Sequence, residues 1–188
     1  SSVETVVGSN ATTDAVRQMD TGTLVVSAVE SVIGTTGAAD VMQMLGVDVT
    51  VSISAIESVV GTTGTADTLT LSGTVAVSAF ETLQGSAGTD TVTMLANGDA
   101  VVNGIETVVG ASGGTDTVTL LVEGSVAVSN IETVLGTAGT NDVARVLGSG
   151  AVGLVVSDVD TVRGGAQTDT VTMLSTGTLV ISSVETVV

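Results

Sequence analysis

The sequence contains no His, Cys, Lys, Tyr, Trp or Pro, and it has a single Phe. Three Arg stand against 20 Asp and Glu in 188 residues, which gives a formal net charge of −17. Nucleic-acid binding relies on Lys and Arg to displace counterions and on aromatic rings to stack bases, so no nucleic-acid partner is expected. The absence of Cys and His excludes disulfides, thiol catalysis and the usual zinc and copper sites.

No apolar run approaches the roughly 18 residues of a membrane-spanning helix, and an anionic bilayer surface would repel the chain, so no membrane insertion is expected. The absence of Cys is compatible with an exported protein, and we expect an extracellular or cell-surface location. The chain begins without an initiator Met or a signal peptide, which predicts a mature product or an excised segment.

A short phrase, hydrophobic-Glu-Thr/Ser-Val, recurs eight times along the chain at intervals of 24 to 28 residues. Its acids are Glu4, Glu30, Glu57, Glu81, Glu106, Glu132, Asp160 and Glu185. A Gly follows the acid by four residues, at Gly8, Gly34, Gly61, Gly85, Gly110, Gly136 and Gly164. An Asp follows it by nine or ten, at Asp14, Asp40, Asp67, Asp90, Asp116, Asp142 and Asp169. These three columns define seven repeats.

The residue pattern of each repeat predicts three short strands. One follows the Asp, one precedes the Glu phrase, and the third is the Glu phrase itself. We therefore expect an all-β fold, a parallel β-solenoid of about seven coils of 24–28 residues with three strands per coil. Residues 1–188 would form one array, a segment of a longer repetitive protein. Alternation breaks at the Glu phrase, which predicts a corner or bulge there. An antiparallel sandwich is the competing fold.

Two apolar columns are expected to point into a narrow core, which also explains the near-absence of aromatic residues. The first comprises Val16, Met42, Leu69, Val92, Val118, Ala144 and Val171. The second comprises Val6, Val32, Val59, Leu83, Val108, Val134, Val162 and Val187.

The acids are not scattered, because 19 of the 20 lie in the Glu column, in the Asp column or near a third turn at Asp20, Asp48, Asp99 and Glu123. If the repeats stack in register, like charges lie about 4.8 Å apart and repel one another. Carboxylates and turn carbonyls are the ligands that Ca²⁺ prefers, so calcium is the expected counter-charge.

The turn GSAGTDTVT, from Gly85 to Thr93, resembles the nonapeptide of the RTX (hemolysin-type) calcium-binding repeats. GGAQTDTVT from Gly164 resembles it less completely, and the turns from Gly61, Gly110 and Gly136 look like the same turn with one inserted residue. The resemblance implies a β-roll with Ca²⁺ at Asp90 and Asp169 and, by extension, at Asp67, Asp116 and Asp142. The whole chain also looks like the β-strand repeats of bacterial surface-layer, adhesin and RTX-type exoproteins.

Other interpretations of the charged columns remain open. The Asp side chains could close their turns by hydrogen bonds without metal. The Glu side chains are expected to be solvated or bonded to a recurring Ser. Arg17, Arg145 and Arg163 are expected to neutralise carboxylates on adjacent coils.

The leading functional expectation is a structural or interaction scaffold of an exported surface-layer, adhesin or filament protein that self-associates laterally or end to end. An ice-binding solenoid is the alternative, because Thr-x-Thr pairs occur at Thr68/Thr70, Thr91/Thr93, Thr117/Thr119 and Thr170/Thr172. A polysaccharide-acting enzyme is less favoured, since the acids recur in every repeat and no His, Lys or Tyr is available as acid or base.

Overall fold

The computed structural model describes residues 3–9, 13–36, 39–46, 49–62, 66–148, 150 and 152–188. The chain is all-β, with short strands joined by turns. The strands are β1 (Val3–Val7), β2 (Ala15–Arg17), β3 (Thr23–Ser27), β4 (Ser31–Ile33), β5 (Val41–Met44), β6 (Thr50–Ser54), β7 (Ser58–Val60), β8 (Thr68–Leu71), β9 (Thr74–Ser78), β10 (Thr82–Gly85), β11 (Thr91–Met94), β12 (Asp99–Asn103), β13 (Thr107–Val109), β14 (Thr117–Leu120), β15 (Ser125–Ser129), β16 (Thr133–Leu135), β17 (Val143–Val146), β18 (Gly153–Ser157), β19 (Thr161–Arg163), β20 (Thr170–Met173), β21 (Val180–Ser182) and β22 (Thr186–Val187).

The strands belong to two compact units, unit 1 (Ser1–Leu95) and unit 2 (Ala96–Val188). In unit 1 the odd-numbered strands β1 to β11 form one parallel sheet, and the even-numbered strands β2 to β10 form a second. In unit 2 the odd strands β13 to β21 and the even strands β12 to β22 are arranged in the same way. We call these the odd sheet and the even sheet of each unit. Each unit is a parallel β-solenoid, and the predicted fold class is confirmed.

The coil is shorter than the sequence repeat, which corrects the predicted coil of three strands and 24–28 residues. Leu24 pairs with Met42 and Val51 with Leu69, so stacked residues lie about 18 positions apart along the chain. Each coil contains one odd and one even strand, and the chain makes about ten turns rather than seven. The physical reason is that every connection between strands reverses the chain, so a coil closes after two strands. A repeat of three strands therefore covers one and a half coils.

The core of each unit lies between its two sheets and contains the inward residues of the strands from β3 to β20. The predicted inward columns are confirmed, with Val32, Val59, Leu69, Leu83, Val92, Val108 and Val134 among the side chains that are fully buried. Only members in the first and last coils are partly exposed, such as Val187 at 44 %. Burying a Val or Leu side chain is worth about 1.5–3 kcal/mol relative to leaving it exposed, so these columns are the main stabilising feature.

The predicted corner at the Glu phrase is a complete chain reversal built on a left-handed residue. The residue two positions before the acid has a positive φ in each of the seven corners: Ala28, Ala55, Ala79, Gly104, Asn130, Asp158 and Ser183, with φ between 51° and 63°. This conformation is unfavourable for an L-residue other than Gly, Asn or Asp. Because this left-handed conformation recurs at each of these corners, the chain passes from one sheet directly into the other.

Candidate functional site: the aspartate turns

The acidic and glycine columns come together in the segments that run from the column Gly to the column Asp, which we call the aspartate turns. Asp40, Asp67, Asp90, Asp116, Asp142 and Asp169 are 0–1 % exposed, although each bears a carboxylate. Burying a charge is costly unless it is hydrogen-bonded, so the partners of these side chains determine what the turns can do.

The column Gly is required by a close approach of the backbone rather than by its own φ angle. A Cβ on Gly34 would lie 1.8 Å from the carbonyl oxygen of Ala55, the left-handed corner residue of the next repeat. It would also lie 2.8 Å from Oδ2 of Asp40 in the same turn. The conflict with the corner carbonyl recurs at Gly8, Gly61, Gly110, Gly136 and Gly164, and that with the Asp recurs at all of these except Gly61. The Gly column, the corner column and the Asp column therefore depend on one another.

Asp67 shows how one aspartate turn joins three successive coils. Its Oδ1 accepts the Val49 N–H of the preceding coil at 2.7 Å. Its Oδ2 accepts the N–H and the hydroxyl of Thr62 in its own turn, at 2.8 and 2.6 Å. Its own N–H donates to Oε2 of Glu81 in the following coil at 2.8 Å, and its carbonyl accepts the Thr82 N–H at 3.0 Å. The side chain and backbone of one Asp thus connect the stacked turns.

The same pattern recurs in the other aspartate turns. Oδ1 accepts a backbone N–H from the preceding coil at 2.6–3.4 Å in the turns of Asp40, Asp90, Asp116, Asp142 and Asp169. The second oxygen, Oδ2, accepts the N–H of the residue after the column Gly at 2.5–2.8 Å. This bond is present in the turns of Asp40, Asp90, Asp142 and Asp169. Thr35 and Thr137 add a hydroxyl, as Thr62 does.

The Glu column is part of this network through a backbone N–H rather than through the expected Ser, and Glu30, Glu57 and Glu185 are exposed to solvent as expected. One carboxylate oxygen of Glu30, Glu57, Glu81, Glu132, Asp160 and Glu185 accepts the N–H of the column Asp in the preceding repeat, at 2.7–2.8 Å. The acid satisfies a backbone donor that would otherwise be left in the turn without a partner. Acids of one column do not stack in adjacent coils, because equivalent strands of successive repeats lie on opposite sheets. Acids of different columns do lie in consecutive coils, as Asp67 and Glu81 do.

Two opposing effects act on the ionisation of Asp67. Burial raises the pKa of this carboxyl, whereas the hydrogen bonds from the Thr62 hydroxyl and from the Val49 and Thr62 N–H groups lower it. The hydrogen bonds outweigh burial, so the pKa of Asp67 is lower than its usual value. The folded turn therefore favours the ionised carboxylate.

The donor set of these turns does not fit a calcium ion. Ca²⁺ takes roughly six to eight oxygen ligands, whereas both oxygens of Asp67, Asp90, Asp142 and Asp169 face N–H donors that a cation would repel. Among the described residues, no three acidic side chains are grouped so as to hold a metal ion. The geometry favours the alternative in which the Asp closes its turn by hydrogen bonds, and calcium at these residues stays a prediction.

Asp116, the fifth residue of the predicted calcium set, differs from the others. Its Oδ1 accepts the Gly98 N–H at 2.8 Å, and its N–H donates to Glu132 at 2.8 Å. Its Oδ2 is buried and has no hydrogen-bond partner among the residues that the structure describes. Ala111 occupies the position of Thr62 in this turn and has no hydroxyl to donate.

Two further columns of the site carry a signal in the sequence that was not used: the residue after the column Gly and the corner residue. The residue after the column Gly is Ser or Thr in five of seven repeats, and it donates to the Asp. The corner position includes Gly104, Asn130 and Asp158, all residue types that tolerate a positive φ. Aligning these positions would have predicted both features.

The remaining predicted features are placed differently by the 18-residue coil. Thr68/Thr70 lie on the even sheet and Thr91/Thr93 on the odd sheet of unit 1, so the Thr-x-Thr pairs do not form one ladder. Arg17 lines a groove of about 200 Å³ with Glu4 and Asp20, and its neutralising role stays a prediction. Asp48 and residues 63–65 of the turn from Gly61 lie outside the described residues.

The register of the described strands places no carboxylate directly beside Arg145 or Arg163, contrary to the expectation. Arg145 on β17 pairs in register with Arg163 on β19, so two like charges are adjacent on the odd sheet of unit 2.

Comparison with protein-family models, with curated proteins and with solved structures finds no match to this chain. The fold is therefore shown by the structure alone, and the resemblance to RTX and surface-layer repeats stays an expectation. The described part of the chain has no helix long and apolar enough to cross a membrane.

Proposed function

We propose that the chain is a structural and interaction scaffold of an exported bacterial surface-layer, adhesin or filament protein, and that it self-associates. The observation that supports this proposal is the distribution of charge over the described residues. The outward side chains of the odd sheet in unit 1 are Thr, Val, Ser, Ala and Gln, although the chain has a net charge of −17.

The carboxylates lie mainly in the turns, where they join coils to one another, and the sheet faces are left nearly free of charge. An uncharged, regular face of β-branched residues can pack against another such face, because no buried charge needs a partner. Extended acidic edges would limit this packing to the faces and give lateral rather than disordered association.

The test is the oligomeric state of the protein measured by sedimentation velocity over a wide concentration range. Ala76→Glu places a charge in the middle of the odd sheet of unit 1, where Ala76 pairs with Ser58 and Thr93. We expect this variant to weaken association at least tenfold, whereas Thr36→Glu in an exposed turn leaves it unchanged. Circular dichroism checks that both variants fold. A wild-type protein that remains monomeric at every concentration would overturn the proposal.

Ice binding is a second candidate, favoured by rows of hydroxyl groups that strand register creates on the even sheet of unit 1. Thr50, Thr68 and Thr82 pair in one row. A second row lies beside the first, displaced by two residues along the strands, and contains Ser31, Ser52 and Thr70. Each row combines the three kinds of strand in a repeat: the strand after the Asp, the strand before the Glu phrase and the Glu phrase itself. The spacing of the sequence repeat therefore did not predict these rows. Thermal hysteresis that is lost in Thr68→Lys and retained in Thr36→Lys would support this candidate, and its absence from the wild type would exclude it.

A further inference from the structure

The odd sheet of unit 2 carries two adjacent arginines on its outer face. Arg145 on β17 and Arg163 on β19 are Cα partners, and both side chains are exposed. They are two of the three cationic residues in the chain. Neighbouring strands lie about 4.8 Å apart, so the two guanidinium groups are within reach of a single ligand.

The surroundings of this pair do not compensate its charge. In register, Arg145 is flanked on its other side by Ala127, and Arg163 by Ser182. Along the strands, the nearest residues on the same face are Val143 and Thr161. Like charges directly opposite each other destabilise a sheet, so the pair is unfavourable within the described part of the chain.

The nearest acid along β19 lies in the corner before the strand rather than on its outer face. Asp160 immediately precedes β19, and its Oδ2 accepts the N–H of Asp142 at 2.8 Å. The described residues beside the arginine pair on this face are not acidic, so the face itself supplies no counter-charge.

We propose that Arg145 and Arg163 form a carboxylate-binding patch whose occupant is an acidic turn of a second copy of this chain. Each guanidinium group presents donors in a planar fork that matches a carboxylate bidentately, and two adjacent groups concentrate positive charge at one place. A second copy supplies such groups in abundance, because the chain has 20 Asp and Glu, of which Asp20, Asp99 and Glu123 lie exposed in or next to turns. This inference rests on the proposed self-association and identifies an electrostatic contact within it.

The test compares self-association of the wild type, Arg145→Gln/Arg163→Gln and Arg17→Gln by sedimentation velocity at low and high salt. We expect the double variant to associate at least tenfold more weakly at low salt and to lose the salt dependence of the wild type. Arg17→Gln removes one positive charge from the even sheet of unit 1 and is expected to behave as the wild type does. Unchanged circular dichroism spectra and melting temperatures show that the variants are folded.

The outcomes distinguish a failure of this inference alone from a failure of the proposed function. A wild type that stays monomeric overturns the proposed function and this inference with it. Association that is equally strong in the double variant overturns the arginine patch alone. Binding of polygalacturonate by the wild type but not by the double variant, with self-association unaffected, overturns a second copy as the occupant.

Discussion

The turns of Asp67 in unit 1 and Asp116 in unit 2 share two hydrogen bonds and differ in those of Oδ2. In both, Oδ1 accepts an N–H of the preceding coil, and the Asp N–H donates to the acid of the next repeat. Oδ2 of Asp67 has two donors from Thr62, whereas Oδ2 of Asp116 is buried without a partner in the described structure. The bonds that both turns share indicate what the fold requires, and the Oδ2 bonds of Asp67 indicate what only improves its stability.

The shared part of the two turns gives the largest expected effect. A Cβ on Gly61 would lie 1.8 Å from the Ala79 carbonyl oxygen, and on Gly110 it would lie 2.0 Å from that of Asn130. Backbone atoms cannot move aside as a flexible side chain can, so Gly61→Ala and Gly110→Ala should each cost more than about 3 kcal/mol of unfolding free energy. Urea denaturation followed by circular dichroism measures this cost.

Gly98→Ala is the matched control for the glycine variants. Its Cβ would meet no atom within 4 Å, and alanine keeps the N–H that binds Asp116. We expect a change within about 0.5 kcal/mol, as is usual for a surface substitution. A loss as large as that of Gly110→Ala would show that the close approach is not the cause.

Removing the carboxylate should reveal the difference between the two turns. Asp67→Asn turns an amide NH₂ towards donors that need an acceptor, and we expect it to cost about 3 kcal/mol, in the range for buried donors left unsatisfied. Asp116→Asn leaves fewer donors unsatisfied and should cost about half as much by the same principle. Equal losses in the two variants would contradict the importance of the Oδ2 bonds.

Exchanging the hydroxyl donor is the most direct test of the comparison. Thr62→Ala should destabilise the protein by about 1 kcal/mol, and Ala111→Thr should stabilise it by about the same amount, the typical net value of one hydrogen bond. Melting temperature in matched buffers measures both. Ala138→Thr, at an exposed turn position, controls for the effect of adding a threonine. An equal gain in that variant would contradict a stabilising hydrogen bond from the introduced hydroxyl to Oδ2 of Asp116 as the cause of the gain in Ala111→Thr.

The smallest expected effect is the pH dependence that Asp67 contributes. Its folded pKa is lower than the unfolded value of about 3.9, so its stabilisation is complete above that pH. The contribution is lost as the pH falls through the folded pKa. The stability difference between the wild type and Asp67→Asn should therefore stay constant from about pH 7 to 5 and shrink below about pH 4. A difference that grows on acidification would contradict the lowered pKa.

Much of the fold was predictable because strand formation and burial are local properties. Thr91-Val92-Thr93-Met94 alternates with a period of two, and the structure buries Val92 and Met94 as that pattern predicts. The Gly and Asp columns correctly predicted turns. The hydrogen-bond partners of Asp67 were not predictable, because Val49 and Glu81 belong to neighbouring coils whose positions depend on the coil length.

The sequence by itself determined the strands, the inward columns and the recurrence of Gly, Asp and Glu, since each of these follows from the chemistry of a few consecutive residues. Only the tertiary structure decided which residues are neighbours. Every connection reverses the chain, so a coil closes after about 18 residues whereas the repeat spans about 26. That mismatch places Glu beside the Asp backbone instead of beside another Glu, and it sets Arg145 next to Arg163.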